Sequence, residues 1–329
     1  MTHRVGAIKP GAANLLAIAV AAAIIFPGCG GTKQTRVVRV GYLRNDLHQL
    51  AYYVAREKGF FEEQGLDVRE GGVFNAGPEE MSAFSAGDLD MGYVGTAPAV
   101  TFSAQDMADI KIVAQSNQEG SAIVVRNGLE AEDISALKGR TVAVPGYSTV
   151  QDLLLRMALE KAGLKPEDVN IITLKPPEMI TALSSSQVDG FVAWEPYPSQ
   201  AAEQKAGRVL VDSGRTWPHH PCCMLVVDSG FLKKNPDAVR RMVAAHVKAT
   251  GYIRANRLEA ADMAHLFTGQ DRPVVNRAMK NIDFTYMPDI KGIRRYVEFL
   301  AGNGVIKSED PGSFTRELVD VEFLPGEGP

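Results

Sequence analysis

Residues 37–68, VVRVGYLRNDLHQLAYYVAREKGFFEEQGLDV, constrain the fold more than any other stretch. The run 37–42 is rich in β-branched residues and ends in a turn just after Gly41, the signature of a short strand. A polar loop, Arg44-Asn45-Asp46, follows. Leu47, Leu50, Ala51, Val54 and Ala55 then recur at spacings of three and four, which places them on one face of a helix. Gly59 can adopt the left-handed conformation that ends such a helix. A short helical turn over 60–64 leads through Gly65 into a second strand at 66–68. The stretch is therefore a β-α-β unit. Open α/β sheets bind ligands outside the carboxyl ends of their strands, which makes the loop around 42–45 the first candidate for a site.

The pattern continues along the chain. Strands are expected at 89–94, 110–114, 121–126, 141–144, 170–174, 188–193, 209–211 and 224–227. Helices are expected at 78–86, from Thr96 onward, and at 150–162, 177–184 and 198–205. Residues 116–120 read as a polar loop. After 228 the chain is expected to be helical, over 236–256, 258–267, 273–281 and 290–301, with a partly irregular tail from Gly302. Two segments share a local design, SAFSAGDLDMGYVG and TALSSSQVDGFVAW. Their identities are few, so they indicate two similar lobes rather than a repeat.

The first 28 residues differ from the rest. Residues 1–14 carry Arg4 and Lys9 and no acid, and 15–26 form an unbroken apolar run, LLAIAVAAAIIF. Pro27, Gly28 and Cys29 follow. A basic start, an apolar centre and a small residue at the cut are the marks of a secretory signal. The run is short for a transmembrane helix, which needs roughly 20 residues. Gly28-Cys29 resembles the cut of a bacterial lipoprotein signal, in which Cys29 is acylated and becomes the first mature residue. The alternatives are an uncleaved anchor or a plain secreted protein. Removing Arg4 and Lys9 from the 35 basic residues leaves 33 against 39 acidic ones. That balance gives no electrostatic case for nucleic-acid binding. Three cysteines are too few for a disulfide framework.

Four segments together carry a family resemblance. They are the opening unit GYLRNDLHQLAYYVAREKGFFEEQGLDV, then SAGDLDMGYVGTAPAV, LKGRTVAVPGYSTVQDLLLRMALEKAGL and VDGFVAWEPY. They resemble the bacterial solute-binding proteins of importers for aliphatic sulfonates, taurine, nitrate and thiamine-pyrimidine precursors, and they occur in family order. The resemblance implies a two-lobed α/β fold of the periplasmic-binding-protein type II class. Each lobe would be a mixed sheet flanked by helices, with two crossing strands joining them near 115–120 and 221–224. Residues 1–28 would then be the signal and 29–35 a tether. Lobe one would comprise 36–118 and 224–329, and lobe two 119–223. The implied activity is non-catalytic. A monomer captures a small, anionic or zwitterionic solute by lobe closure and hands it to an ABC permease driven by its ATPase. It would work in the periplasm or on the outer face of the cytoplasmic membrane, held there by lipid on Cys29. No cofactor is expected.

In such a fold the cleft is lined by loops at strand carboxyl ends and by helix N-termini, which favour anions. Four loops qualify. Tyr42, Arg44 and Asn45 follow the first strand. Gly95 and Thr96 open a helix, with Thr96 as an N-cap whose hydroxyl can also donate to a bound oxygen. Tyr147, Ser148 and Thr149 open another. Trp194 and Glu195 end a lobe-two strand, where the indole can stack on a ligand. Ser148 and Thr96 could equally serve only as caps, and Arg44 only as a solvated charge. Asn117, at the first crossing, and His48 complete the candidate set, with His219 and His220.

The stretch 217–224, WPHHPCCM, is the least ordinary in the chain. Imidazole and thiol groups together suggest a transition metal, with His220, Cys222 and Cys223 as candidates. Adjacent cysteines, however, do not easily turn both sulfurs to one ion, and zinc motifs space them wider. Buried cysteines entering a strand, a vicinal disulfide, or histidines touching the solute are the other readings. His48 and Glu195 could join a metal site from across the cleft. An enzyme related to pyrimidine-precursor synthases is the competing class. Against it stand the leader and the lack of a nucleophile–base pair or phosphate loop in the sequence.

Overall fold

The computed structural model describes residues 36–326. The leader, Cys29 and the tether lie outside the described residues. Eleven strands among the described residues form two sheets. In order they are β1 (Arg36–Leu43), β2 (Leu66–Phe74), β3 (Met91–Gly95), β4 (Ile110–Glu119), β5 (Ser121–Arg126), β6 (Thr141–Val144), β7 (Asn170–Thr173), β8 (Gly190–Trp194), β9 (Gly207–Asp212), β10 (Pro221–Asp228) and β11 (Ile282–Phe284).

The first sheet has the order β11-β4-β10-β3-β1-β2, and the second β7-β6-β8-β5-β9. Each contains a parallel trio, β2-β1-β3 in one and β7-β6-β8 in the other. Each trio is flanked by an antiparallel neighbour, β10 in the first and β5 in the second. The common design anticipated from the two similar segments is therefore a common strand order. Both are mixed sheets flanked by helices, the two-lobed type II architecture.

Strand alternation builds the cores, because successive side chains point to opposite faces. In β10, Leu225 and Val227 join one apolar cluster while Met224 and Val226 join another. In the second sheet Val124, Ala143 and Phe191 face one side, and Ile123, Val125, Val142 and Val192 the other. The second cluster also takes in Val150, Leu153, Leu154 and Met157 from the helix Val150–Lys161. That helix follows β6 in the second sheet, yet it packs on the helix Thr96–Ala104 of the first. The two halves thus share apolar contact.

Local signals place most element ends. Gly59 has φ +71° and follows the helix Leu50–Glu57 at its αL position, as expected. Several expectations are corrected. β4 runs straight through 116–119, because those residues pair with β10 and β11. Gly95, not Thr96, is the N-cap of its helix. The region after 228 is not wholly helical, since Ile282–Phe284 adds an edge strand to β4. The tail contains the helix Pro311–Leu318, capped by Asp310 accepting from the Ser313 N–H. Among the described residues, no helix is long and apolar enough to cross a membrane.

Candidate functional site

The carboxyl ends of β1, β3 and β8 and the helix start after β6 converge on one cavity. Leu43, Asp46, Gly77, Gly95, Pro98, Thr149, Val150, Gln151, Trp194, Cys222 and Cys223 line it. Its volume is about 10 Å³, close to the least that holds one water. The helices Gly77–Ala86, Thr96–Ala104 and Val150–Lys161 all begin at its wall. The first two have no side-chain cap. In the third, Thr149 accepts from the Asp152 N–H. Helix starts present N–H groups and the positive end of the dipole. The indole N–H of Trp194 is buried and makes no hydrogen bond among the described residues. No lysine or arginine is part of the lining.

One wall carries a cluster of ionisable groups. Asp46 opens the first helical turn, where its carboxylate accepts from the His48 N–H at 2.9 Å and from Gln49 Nε2 at 3.1 Å. That local turn folds the His48 ring inward. Its Nε2–H donates to the Gly120 carbonyl at 2.8 Å, and Nδ1 faces β10, which bears both cysteines. Cys222 Sγ lies 3.4 Å from Nδ1 and Cys223 Sγ 3.8 Å from it. All four residues are buried. Burial alone pushes the Cys222 thiol up, but hydrogen bonding to Cys223 and the charge of His48 hold it well below its ordinary value. Burial likewise lowers the His48 ring, yet the charges of Cys222 and Asp46 outweigh it and raise the ring to about 9. Burial raises the Asp46 carboxyl to about 7. The sequence named His48 as a residue that could join Cys222 and Cys223 from across the cleft, and the structure brings these residues, His48 and Cys222 being 174 positions apart, into contact. Asp46 read only as part of a polar loop.

The sequence candidates divide by place. Gly95, Thr149 and Trp194 line the cavity, as do Cys222 and Cys223. Leu43 and Asp46 bring the first loop to it, whereas Tyr42, Arg44 and Asn45 line a separate groove with Tyr53, Arg56 and Phe267. The Thr96 hydroxyl donates to the carbonyls of Pro221 and Cys222, both at 3.0 Å, and so ties β10 to the helix. Asn117 Oδ1 accepts from the Cys223 N–H at 3.2 Å. Ser148 has φ +59° and its N–H donates to Asp152. Tyr147 is exposed and reaches the Ile171 carbonyl. His219 is exposed, and its N–H donates to Glu119 at 2.7 Å. His220 is buried against Tyr296 and Trp217, and it is outside the group of close imidazole and thiol atoms although its charge still reaches Cys222.

Glu195 joins the halves without lining the cavity. Its carbonyl accepts from the Leu47 N–H at 3.1 Å. Its buried carboxylate accepts from Ser199 Oγ at 3.0 Å and from Asn281 Nδ2 at 2.6 Å. Burial raises this carboxyl, while the donors oppose the rise. Asn281→Ala removes one donor from a buried acid and is expected to cost about 2 kcal/mol. Urea unfolding reads that loss, and small-angle X-ray scattering should show a larger radius of gyration.

Known proteins match this architecture. The model of the NMT1-like family matches residues 31–268. The chain is 31% identical over 250 residues to a Brucella abortus protein provisionally called a binding protein, covering 74% of this chain and 75% of that one. It is 30% identical over 227 residues to the taurine-binding periplasmic protein of Escherichia coli, covering 68% and 69%. The solved periplasmic nitrate-binding protein of Synechocystis superposes with a TM-score of 0.80 at 16% identity, covering 88% of this chain and 87% of that one. With the paired mixed sheets and the cavity at their strand ends, these matches make the chain a member of the NMT1-like family, a periplasmic, non-catalytic solute-binding protein of the kind that serves ABC importers.

Proposed function

We propose that the cleft captures a small organic sulfonate, taurine-like in carrying both a negative head and an amine. One observation carries the reading: three helix starts and the unpartnered Trp194 indole N–H meet at one buried cavity. Aligned N–H donors hold an anion there without a basic side chain. Asp46 on the same wall offers the complementary acceptor for an ammonium group. A cavity the size of one water does not hold such a solute. The two halves therefore part to admit it and close on it, a population shift driven by contacts made only when closed.

For this motion we take lobe one as residues 36–118 and 224–329 and lobe two as 119–223, with Gly120 and Pro221 at the crossings. Cys29 as the acylated first residue, a membrane tether and a monomeric state complete the reading, on the residue pattern alone.

Isothermal titration of the mature protein with taurine, ethanesulfonate and nitrate tests this. Saturable heat with taurine, and less with nitrate, is expected. No heat and no thermal shift with any of them overturns the solute class. Trp194→Phe keeps the ring and removes the N–H. It is expected to weaken taurine binding about tenfold, the loss of one buried hydrogen bond of about 1.4 kcal/mol.

A further inference from the structure

Two thiols on the cavity wall and the imidazole they touch have no role in the sulfonate reading above. We propose that His48, Cys222 and Cys223 form a mononuclear site for a zinc-class divalent cation as its three protein ligands. This inference is independent of which solute the cleft takes.

The geometry is that of ligands around one ion. Nδ1 and the two sulfurs all lie within 4.8 Å of one another. A tetrahedral ion with a nitrogen at about 2.0 Å and a sulfur at about 2.3 Å sets those two atoms about 3.5 Å apart. The separations here are 3.4 and 3.8 Å. Asp46 Oδ1 lies 3.5 Å from Nδ1, and Oδ2 lies 4.0 Å from Cys223 Sγ. Asp46 thus stands beside the group, but its carboxylate is not among the atoms that all lie within 4.8 Å of one another.

The surroundings match as well. Metal-bound histidines almost always donate their other ring N–H to a carbonyl or carboxylate, which fixes ring and tautomer. Nε2 of His48 does this to Gly120 at 2.8 Å. Adjacent cysteines in a regular strand would point to opposite faces. β10 is not regular there, because its pairing with β4 shifts register between Pro221 and Cys223 and again between Cys223 and Met224. Such bulges re-aim side chains, and here both sulfurs reach one ring. The polar contacts of Thr96 and Asn117 with Pro221, Cys222 and Cys223 hold the irregular segment in place. Cys222, Cys223 and Asp46 also line the cavity, so an ion reaches the site by the same opening as the solute. His220 lies outside the group. Two sulfurs and one nitrogen suit a borderline-soft d¹⁰ ion rather than magnesium or calcium.

Cadmium titration of the chelator-stripped, fully reduced mature protein tests the site. Its ultraviolet thiolate-to-metal band counts sulfur ligands, and zinc competition gives the affinity. One ion per chain with a two-thiolate band is expected. Cys223→Ser should halve the band, and Cys222→Ser should weaken binding roughly 100-fold. His220→Gln should leave both unchanged. Absence of a band in the wild-type protein, or metal binding undiminished in the double serine variant, overturns the proposal. The wild-type band does not depend on any variant folding. Taurine binding is measured separately by heat, so failure of one reading does not disguise failure of the other.

Discussion

Gly120→Ala is expected to destabilise the protein by about 4 kcal/mol and to displace the His48 ring. Gly120 sits between β4 and β5 at φ +84°. An L-residue there bears strain of about 1–2 kcal/mol. A Cβ would also land against the His48 ring, 3.0 Å from Cδ2, and 2.9 Å from Ile282 Cγ1. Both neighbours are buried, so neither swings away into solvent. Overfilling a packed interior adds about 1–3 kcal/mol, and the hydrogen bond from Nε2 to the Gly120 carbonyl is endangered with it. Urea denaturation measures the loss. A change under about 0.5 kcal/mol, the size typical of surface substitutions, would mean that the ring and strand junction yield easily.

Acidification is expected to remove about 3 kcal/mol through His246 alone. Its ring is fully buried, with Nε2–H donating to the Gln115 carbonyl at 2.8 Å and Nδ1 accepting from the Tyr93 hydroxyl at 3.1 Å. Burial lowers it from 6.5 to about 4, against the smaller opposing effect of the Gln115 bond. The unfolded chain therefore binds a proton first as pH falls. The contribution is complete above pH 6.5 and is lost as pH falls through the window to about 4. Asp46 acts in the opposite sense, because its raised carboxyl gains stability as pH falls from about 7. The His246 share is read by difference. His246→Gln keeps a donor and an acceptor without a titrating ring. Its unfolding free energy should lose about 2.5 kcal/mol less than wild type between about pH 7.5 and 4.5. Parallel curves for the two proteins would refute the assignment.

The order of strands and helices was readable wherever a side-chain period ran for a full element. β1, β6 and the helix Val150–Lys161 are such cases. Ile282–Phe284 was missed because three residues contain no period, and their strand character comes from pairing with β4. The helix Pro311–Leu318 was missed although Asp310 and Pro311 carry a start signal. Of the cavity lining, Gly95, Thr149 and Trp194 were legible as cleft residues, and Cys222 and Cys223 only as metal candidates. Cys222 and Cys223 read as unfavourably spaced because adjacent side chains do not easily reach one ion, and a bulge that re-aims them cannot be foreseen from neighbouring residues. Arg44 and Tyr42 belong to the right loop but turn to its other side, a difference of one residue in a strand of period two.

The contacts around Glu195 have a kinetic consequence. Leu47 and Asn281 reach it directly from the other half. Such protein–protein contacts need no solute to form, so they bias the molecule toward closure, and only the open fraction is receptive. A bias of about 1.4 kcal/mol toward closure leaves about one molecule in ten receptive at any moment and slows capture by the same factor. The permease in turn meets shut molecules that have no cargo. Closure by itself is then an ambiguous signal, and productive docking has to depend on some feature that the cargo changes in an already closed protein.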